Sequence, residues 1–206
     1  MTTELIQELT ADPRLLYQHT AAEYHRMIKS GMIEEGEPIE LLEGQIVRKI
    51  RSAQGENPMT VGDRHAYAVM KLTELARKLP AQGCHLRPQQ PITLPPTDEP
   101  EPDAAVVRGR IEDYRGRHPH AADVICVIEV ADASLRRDRT IKQRIYAKAA
   151  IAIYVIVNLQ GDLIEVYTKP KSGRYENVRK LNADKSLRIP TPAGRGWNFS
   201  FQKITA

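Results

Sequence analysis

Two carboxylates stand where short apolar runs begin and end. Pro102-Asp103 opens Ala104-Ala105-Val106-Val107, and 26 residues later Glu129 interrupts Val124-Ile125-Cys126-Val127-Ile128-Glu129-Val130. A carboxylate inside an apolar strand is costly to bury unless something positive compensates it. The next stretch, Ser134 to Ala150, carries six basic residues: Arg136, Arg137, Arg139, Lys142, Arg144 and Lys148. Two acids beside a helix loaded with Lys and Arg suit a divalent cation next to a phosphate, which is the chemistry of a nuclease.

The elements that must position these groups follow from periodicity and punctuation. A helix is expected over Thr20–Ser30, with Thr20 as N-cap and Gly31 as its stop. Ile39 to Val47 reads as a hairpin turning near Glu43-Gly44. Ser52 to Pro58 reads as loop. A second helix is expected from Val61 to about Leu79, because Val69, Leu72, Leu75, Ala76 and Leu79 recur at helical spacing, and Pro80 and Gly83 end it. Gln89–Leu94 is an expected strand, followed by the stiff acidic loop Pro95 to Pro102. Ala104–Val107, Val124–Val130 and Ile153–Val157 read as central strands buried on both faces. A helix from Leu135 to Ala150 between the last two makes a βαβ unit with a parallel pair. Leu163–Thr168 and Tyr175–Val178 close the sheet as an antiparallel pair around Lys171-Ser172-Gly173. In the basic helix, Ile141, Ile145 and Ala149 fall on one stripe. Lys142 lies on its border, about 60° from Ile145, with Asp138 and Tyr146 on the same edge and Arg137 and Arg144 facing solvent.

The bulk numbers are those of a globular domain. The chain has 206 residues, 41% hydrophobic and 27% charged, with a net charge of +4. That charge permits nucleic-acid binding without arguing for it. Two cysteines, Cys84 and Cys126, give no disulfide framework and no zinc-ligand spacing, and they point to a reducing cytoplasm. The N-terminus does not read as a signal peptide, and no apolar run is long enough to span a bilayer. Residues 1–14 read as a flexible lead-in, 15–190 as one domain and 191–206 as a C-terminal tail.

The ordered set Glu40-Leu41-Leu42-Glu43-Gly44, His65, Pro102-Asp103, Glu129-Val130-Ala131, Asp138-Arg139, Lys142, Tyr146-Ala147 and Ile164-Glu165-Val166-Tyr167 resembles the Uma-two family of restriction-endonuclease-like proteins, within the PD-(D/E)xK nuclease superfamily. The resemblance spans about residues 40 to 170. The chain departs from the superfamily at Ala131, where the lysine two after Glu129 would stand, and Lys142 becomes the candidate in its place. It departs again at Ala150-Ile151-Ala152-Ile153-Tyr154-Val155, which replaces the usual Gly-Ile-Pro-Glu-Tyr-Trp.

The resemblance implies an α/β fold of one domain, a restriction endonuclease-like core with a mixed β-sheet flanked by helices. It implies a metal-dependent endonuclease that hydrolyses DNA phosphodiester bonds with Mg2+ or Mn2+. Asp103, Glu129 and the carbonyl of Val130 would hold the metal, since such hard cations take oxygen ligands. Lys142 would stabilise charge on the phosphate. Glu40 would be a further acidic member of the catalytic set. Arg136, Arg137 and Arg139 would grip the DNA backbone without reading sequence. His65 reads more readily as a helix-surface histidine and Tyr146 as core. A homodimer would place two sites on two strands; no membrane and no nucleotide cofactor are expected. The alternatives are a catalytically inactive nucleic-acid-binding protein of the same fold, and a metabolic or toxin-like protein built on it.

Overall fold

The computed structural model describes residues 7–9, 11–12, 15–34, 36–49 and 62–206. The expected loop from Ser52 to Pro58, the helix start at Val61 and most of the lead-in over 1–14 lie outside the described residues.

Helix α1 spans Ala21–Lys29 and starts with a capping box: Thr20 Oγ1 accepts from Glu23 N, and the Glu23 carboxylate accepts from Thr20 N. Such a cap is worth about 1 kcal/mol. Strands β1 (Ile39–Leu42) and β2 (Gln45–Arg48) form a hairpin. Its turn residues Glu43 and Gly44 both have positive φ, 49° and 76°, which matches the right-handed twist of a tight hairpin. Helix α2 runs over Asp63–Leu75. Strand β3 is Cys84–Pro88, upstream of the expected Gln89–Leu94. Gln89 takes φ 47° and ends the strand. Beyond it Ile92, Thr93 and Leu94 donate singly to Pro100, Pro119 and Asp98 rather than to one ladder.

Strand β4 (Ala104–Arg108) and β5 (Val124–Ala131) follow, then helix α3, then β6 (Ile153–Asn158), β7 (Leu163–Lys171) and β8 (Arg174–Asn182). Helix α3 has three consecutive pieces: Leu135–Arg137, a π turn over Asp138–Lys142, and Gln143–Lys148. These strands build one six-stranded mixed sheet, ordered β3-β4-β5-β6-β7-β8, in which β5 and β6 are parallel and the other neighbours antiparallel. The α/β class, the parallel pair and the closing hairpin agree with the sequence reading.

Both faces of the sheet are covered. Cys126, Ile128, Val130, Val155 and Val157 pack with α2 residues Ala68, Val69 and Leu72. Val127, Ala131, Tyr154, Ile156 and Tyr167 pack with α3 residues Ile145, Tyr146 and Ala147. Successive strand side chains alternate between faces, so Glu129, between Ile128 and Val130, points at α3. Residues 191–206 are a correction to the expected tail. They carry β10 (Trp197–Ser200), which pairs with β9 (Ser186–Ile189), and a final helix α4 (Phe201–Thr205). Trp197, Phe199, Phe201 and Ile204 are buried in the core beside α2. Burying a Phe side chain is worth about 1.5–3 kcal/mol, ample reason for this segment to dock.

Candidate active site

The acidic residues meet at the carboxyl ends of the parallel strands. Ala104 of β4 lies opposite Ile128 of β5, so Asp103 sits one residue off the ladder, beside Glu129. Its Oδ2 accepts from the Val130 amide at 2.8 Å, and its own amide donates to Glu129 Oε2 at 3.4 Å. On the far edge of β5 the Ala131 carbonyl accepts from Leu159 N. Backbone groups of adjacent strand residues point to opposite edges, so the Val130 carbonyl faces the Asp103 side. Asp103, Glu129 and Val130 therefore cluster as the sequence reading placed them.

Glu40 joins them from β1. It is 1% exposed, unlike a solvated hairpin residue. Its Oε2 accepts from the Glu101 amide at 3.2 Å. The hairpin that carries it is clamped to the end of α3. Arg144 donates to both Glu43 carboxylate oxygens at 2.7 and 2.6 Å, and Lys148 adds a third bond at 3.0 Å. The Arg144 fork, with Lys148 behind it, holds the Glu43 carboxyl down to about 2.

Lys142 comes in from the π turn of α3, only 4% exposed. Its Nζ donates to Glu129 Oε1 at 3.0 Å and lies 3.3 Å from Glu40 Oε2. Asp138, one turn earlier on the same helix, accepts from Ser134 Oγ at 2.5 Å. Burial works to discharge Lys142, but Glu129, Glu40, Asp138 and Asp103 around it outweigh burial and raise its pKa. The acids outnumber the cation. Burial pushes Glu129 up to about 8 against the pull of Lys142, with Asp138, Asp103 and Glu40 adding repulsion. Burial also raises Asp138. Asp103 goes the other way: burial opposes ionisation, but a hydrogen bond from His65 and the charges of His65 and Lys142 lower it.

Two neighbours that the sequence reading left outside the site reach it. His65 of α2 places Nε2 2.9 Å from Asp103 Oδ1 and is 18% exposed, so it is a site residue and not a surface histidine. Tyr146, read as core, is fully buried but also donates its hydroxyl to Glu129 Oε1 at 2.7 Å. One helical turn after Lys142 was the available signal for Tyr146. His65 had none beyond its place in the family resemblance, because 38 residues separate it from Asp103. A second buried cation, Lys49, pairs with Glu101. Burial lowers the Lys49 pKa despite that partner.

The comparisons with known proteins bear on this cluster. The family model described as "Putative restriction endonuclease", Uma2, matches residues 21–202. The chain belongs to the Uma2 family. Among solved structures it is similar to one described as a "putative nuclease belonging to DUF820" from Anabaena variabilis ATCC 29413. The TM-score is 0.67 at 17% identity, over 90% of this chain and 97% of the other. No curated protein matches the chain.

In this Uma2 chain the residue two after Glu129 is Ala131, buried against α3, and the ammonium reaches Glu129 from Lys142 instead. The three arginines assigned to the nucleic-acid backbone are placed differently from one another. Arg136 is exposed and Arg137 half-buried, with its Nε unpartnered among the described residues. Arg139 is a correction: it forks onto Glu165, a carboxylate 1% exposed on β7. Asn158 Nδ2 and the Tyr167 hydroxyl also donate to Glu165. Arg139 is thereby committed to neutralising a buried acid, and only Arg136 and Arg137 remain for a ligand.

The residues fit a divalent cation. Glu40 Oε1 and Asp138 Oδ1 are buried without a hydrogen-bond partner among the described residues, and buried polar atoms are seldom left so. Four carboxylates around one lysine leave a negative excess that a hard cation with oxygen ligands would offset.

Proposed function

We propose that this Uma2 protein is a Mg2+- or Mn2+-dependent endonuclease that hydrolyses DNA phosphodiester bonds. The observation that carries the reading is the convergence of Glu129 and Glu40 on the Lys142 ammonium, with Asp103 beside them donating its amide to Glu129. Asp103, Glu129 and the Val130 carbonyl would hold the metal. When bound, the ion supplies charge neutralisation of the phosphate and a more acidic water.

The chain's own residues do the rest. Lys142, kept charged by its acidic surroundings, offers its ammonium to the negative charge that builds on phosphate. Glu40 and Glu129 hold that ammonium in place. Tyr146 fixes the Glu129 carboxylate from the helix side, and His65 fixes Asp103 from α2. The walls of apolar side chains on both sheet faces exclude water behind the acids, which strengthens every charge interaction there. Arg136 and Arg137 lie at the start of the same helix and would track the DNA backbone. A pair of such chains would bring two sites to two strands, which is the ground for a homodimer.

The test is nicking of supercoiled plasmid with Mg2+ or Mn2+ by the wild type, Asp103→Asn, Glu129→Gln and Lys142→Met. Metal-dependent nicking by the wild type and its loss in all three variants is the expected result. Cleavage surviving in all three refutes the assignment. DNA binding without cleavage by the wild type supports the inactive-binder reading instead.

A further inference from the structure

A second cluster of metal-binding side chains lies outside the acidic centre. His25 of α1, Glu99 from the connection between β3 and β4, and His118 from the connection between β4 and β5 each bring one ligand atom within 4.8 Å of the others. They border a groove of about 1350 Å³. Ninety-three residues separate the first from the last, so the fold and not local sequence assembles them.

The geometry resembles a ligand set with its supports in place. Glu99 forms the floor, 3% exposed, and its Oε2 accepts from Thr93 Oγ1 at 2.7 Å. An outer hydrogen bond of that kind fixes a ligating carboxylate. His25 stands at the rim with Nε2 2.8 and 2.6 Å from the two Glu99 oxygens. Burial lowers the pKa of His118, favouring the neutral imidazole that ligates metals. Its ring packs edge-on to that of His25, centroids 6.0 Å apart. Arg87 donates to His118 Nδ1 at 3.0 Å. A metal-bound neutral imidazole carries its proton on the other nitrogen, so ligation through either nitrogen requires Arg87 to let go.

We propose that His25, Glu99 and His118 bind a zinc-class divalent cation, with water from the groove completing its coordination. Two imidazoles and one carboxylate are a borderline-soft donor set that suits Zn2+, whereas Mg2+ prefers oxygen alone. The ion would staple α1 to the connection that presents Asp103, four residues beyond Glu99, and so brace the acidic centre from outside it. The inference does not depend on nuclease activity.

The test is calorimetric titration of the tag-free, chelator-stripped full chain with Zn2+ in excess Mg2+, with Co2+ absorption as an independent readout of nitrogen ligands. One equivalent of zinc is expected, unchanged in Asp103→Asn/Glu129→Gln, which removes the acidic centre as its source. His25→Ala and His118→Ala should weaken binding by more than about 100-fold. Thr93→Val should weaken it by about 10–100-fold, as outer partners do. Arg87→Met, which frees the His118 lone pair, should tighten it. His25 is 45% exposed on its side chain, so its variant should fold normally by circular dichroism. Zinc binding as tight in folded His25→Ala and His118→Ala as in wild type overturns the proposal, as does no binding by wild type at micromolar zinc.

Discussion

Replacing Lys142 with Met tests whether the acidic centre is held together by charge. The side chain is 4% exposed, and its ammonium lies 3.0 Å from Glu129 Oε1 and 3.3 Å from Glu40 Oε2. Met keeps most of the volume and adapts to irregular space, so little of the effect should come from a cavity. Removing one partner of a buried ion pair costs about 3–5 kcal/mol, because the other charge stays buried alone. The carboxylates have one escape, which is to take up protons. Burial already raises Glu129 to about 8 with Lys142 present, and losing the lysine raises it further. An acid whose folded pKa exceeds its unfolded value binds more protons when folded, so its neutral form supports the fold at low pH. That support is lost as pH rises towards the folded pKa.

The cost of Lys142→Met should therefore be under about 1 kcal/mol at pH 5 and approach about 3–5 kcal/mol at pH 9. Urea unfolding in EDTA, followed by circular dichroism at pH 5, 7 and 9, measures it. For a chain of this size the pH 9 loss corresponds to a fall in Tm of roughly 6–20 °C. A cost that does not change with pH would mean that Lys142 matters only for packing, and the electrostatic account of the site would be wrong.

The thermal stabilisation given by Mg2+ or Mn2+ to the wild type should grow from pH 5 to pH 9, as Glu129 loses its proton (about 8 in the folded chain), and should vanish in Asp103→Asn; scanning calorimetry across that range decides it. Tyr146→Phe removes the hydroxyl bond to Glu129 and should cost about 1.5–3 kcal/mol in urea melts at pH 9, where Glu129 is ionised, the value of a buried bond to a charged group. Arg136→Ala should change stability by less than about 0.5 kcal/mol while lowering the salt dependence of DNA retention by about one phosphate contact. Arg139→Ala should instead destabilise the fold, by leaving Glu165 with only Asn158 and Tyr167, and denaturant melts of the two variants side by side separate the roles. Ala150 takes φ 58°, a left-handed conformation that costs an L side chain about 1–2 kcal/mol; Ala150→Gly should raise stability by about 0.5–1 kcal/mol once the added freedom of the unfolded chain is subtracted.

The two strand acids were legible because burial makes a carboxylate conspicuous in an apolar run. The same rule marks Glu165, which sits in Leu163-Ile164-Glu165-Val166-Tyr167 and is buried as deeply. What separates the two is their surroundings, which the sequence does not display. Glu165 receives an arginine fork, an amide and a hydroxyl and is fully compensated. Glu129 shares one lysine with three other acids. The partners that complete the centre come from distant segments: His65 on α2, Glu40 on the hairpin and Lys49 just after it. Nothing local ties them to Asp103 or Glu129. The C-terminal segment differs from its expected tail for a related reason. Gly194 and Gly196 flank a stretch too short to show periodicity, and the aromatic residues after them gain their value only by reaching α2.

The basic helix departs from its expected form in one respect, and the departure explains how a buried lysine is delivered. An uninterrupted α-helix with Ile141, Ile145 and Ala149 inward leaves Lys142 at the border of the buried stripe. The structure instead leaves Ile141 and Ala149 half-buried and turns Asp138, Lys142 and Tyr146 fully inward. The cause is the π turn, in which the Gln143 amide reaches back to the Asp138 carbonyl, so one extra residue rotates the downstream side chains relative to an α pattern. Its neighbours absorb the lost regularity. The Thr140 hydroxyl donates to the Arg136 carbonyl at 2.7 Å, and the Tyr154 hydroxyl from β6 donates to the Asp138 carbonyl at 3.1 Å. A wider turn is less favourable than α-helix taken alone, and burying a lysine is less favourable still. Each is tolerable because of the other: the π turn points the ammonium at the acids, and the acids make its burial favourable. The local irregularity and the four-carboxylate cluster are therefore one feature of the fold, and a periodicity argument fixed at 3.6 residues per turn had no means of reading it.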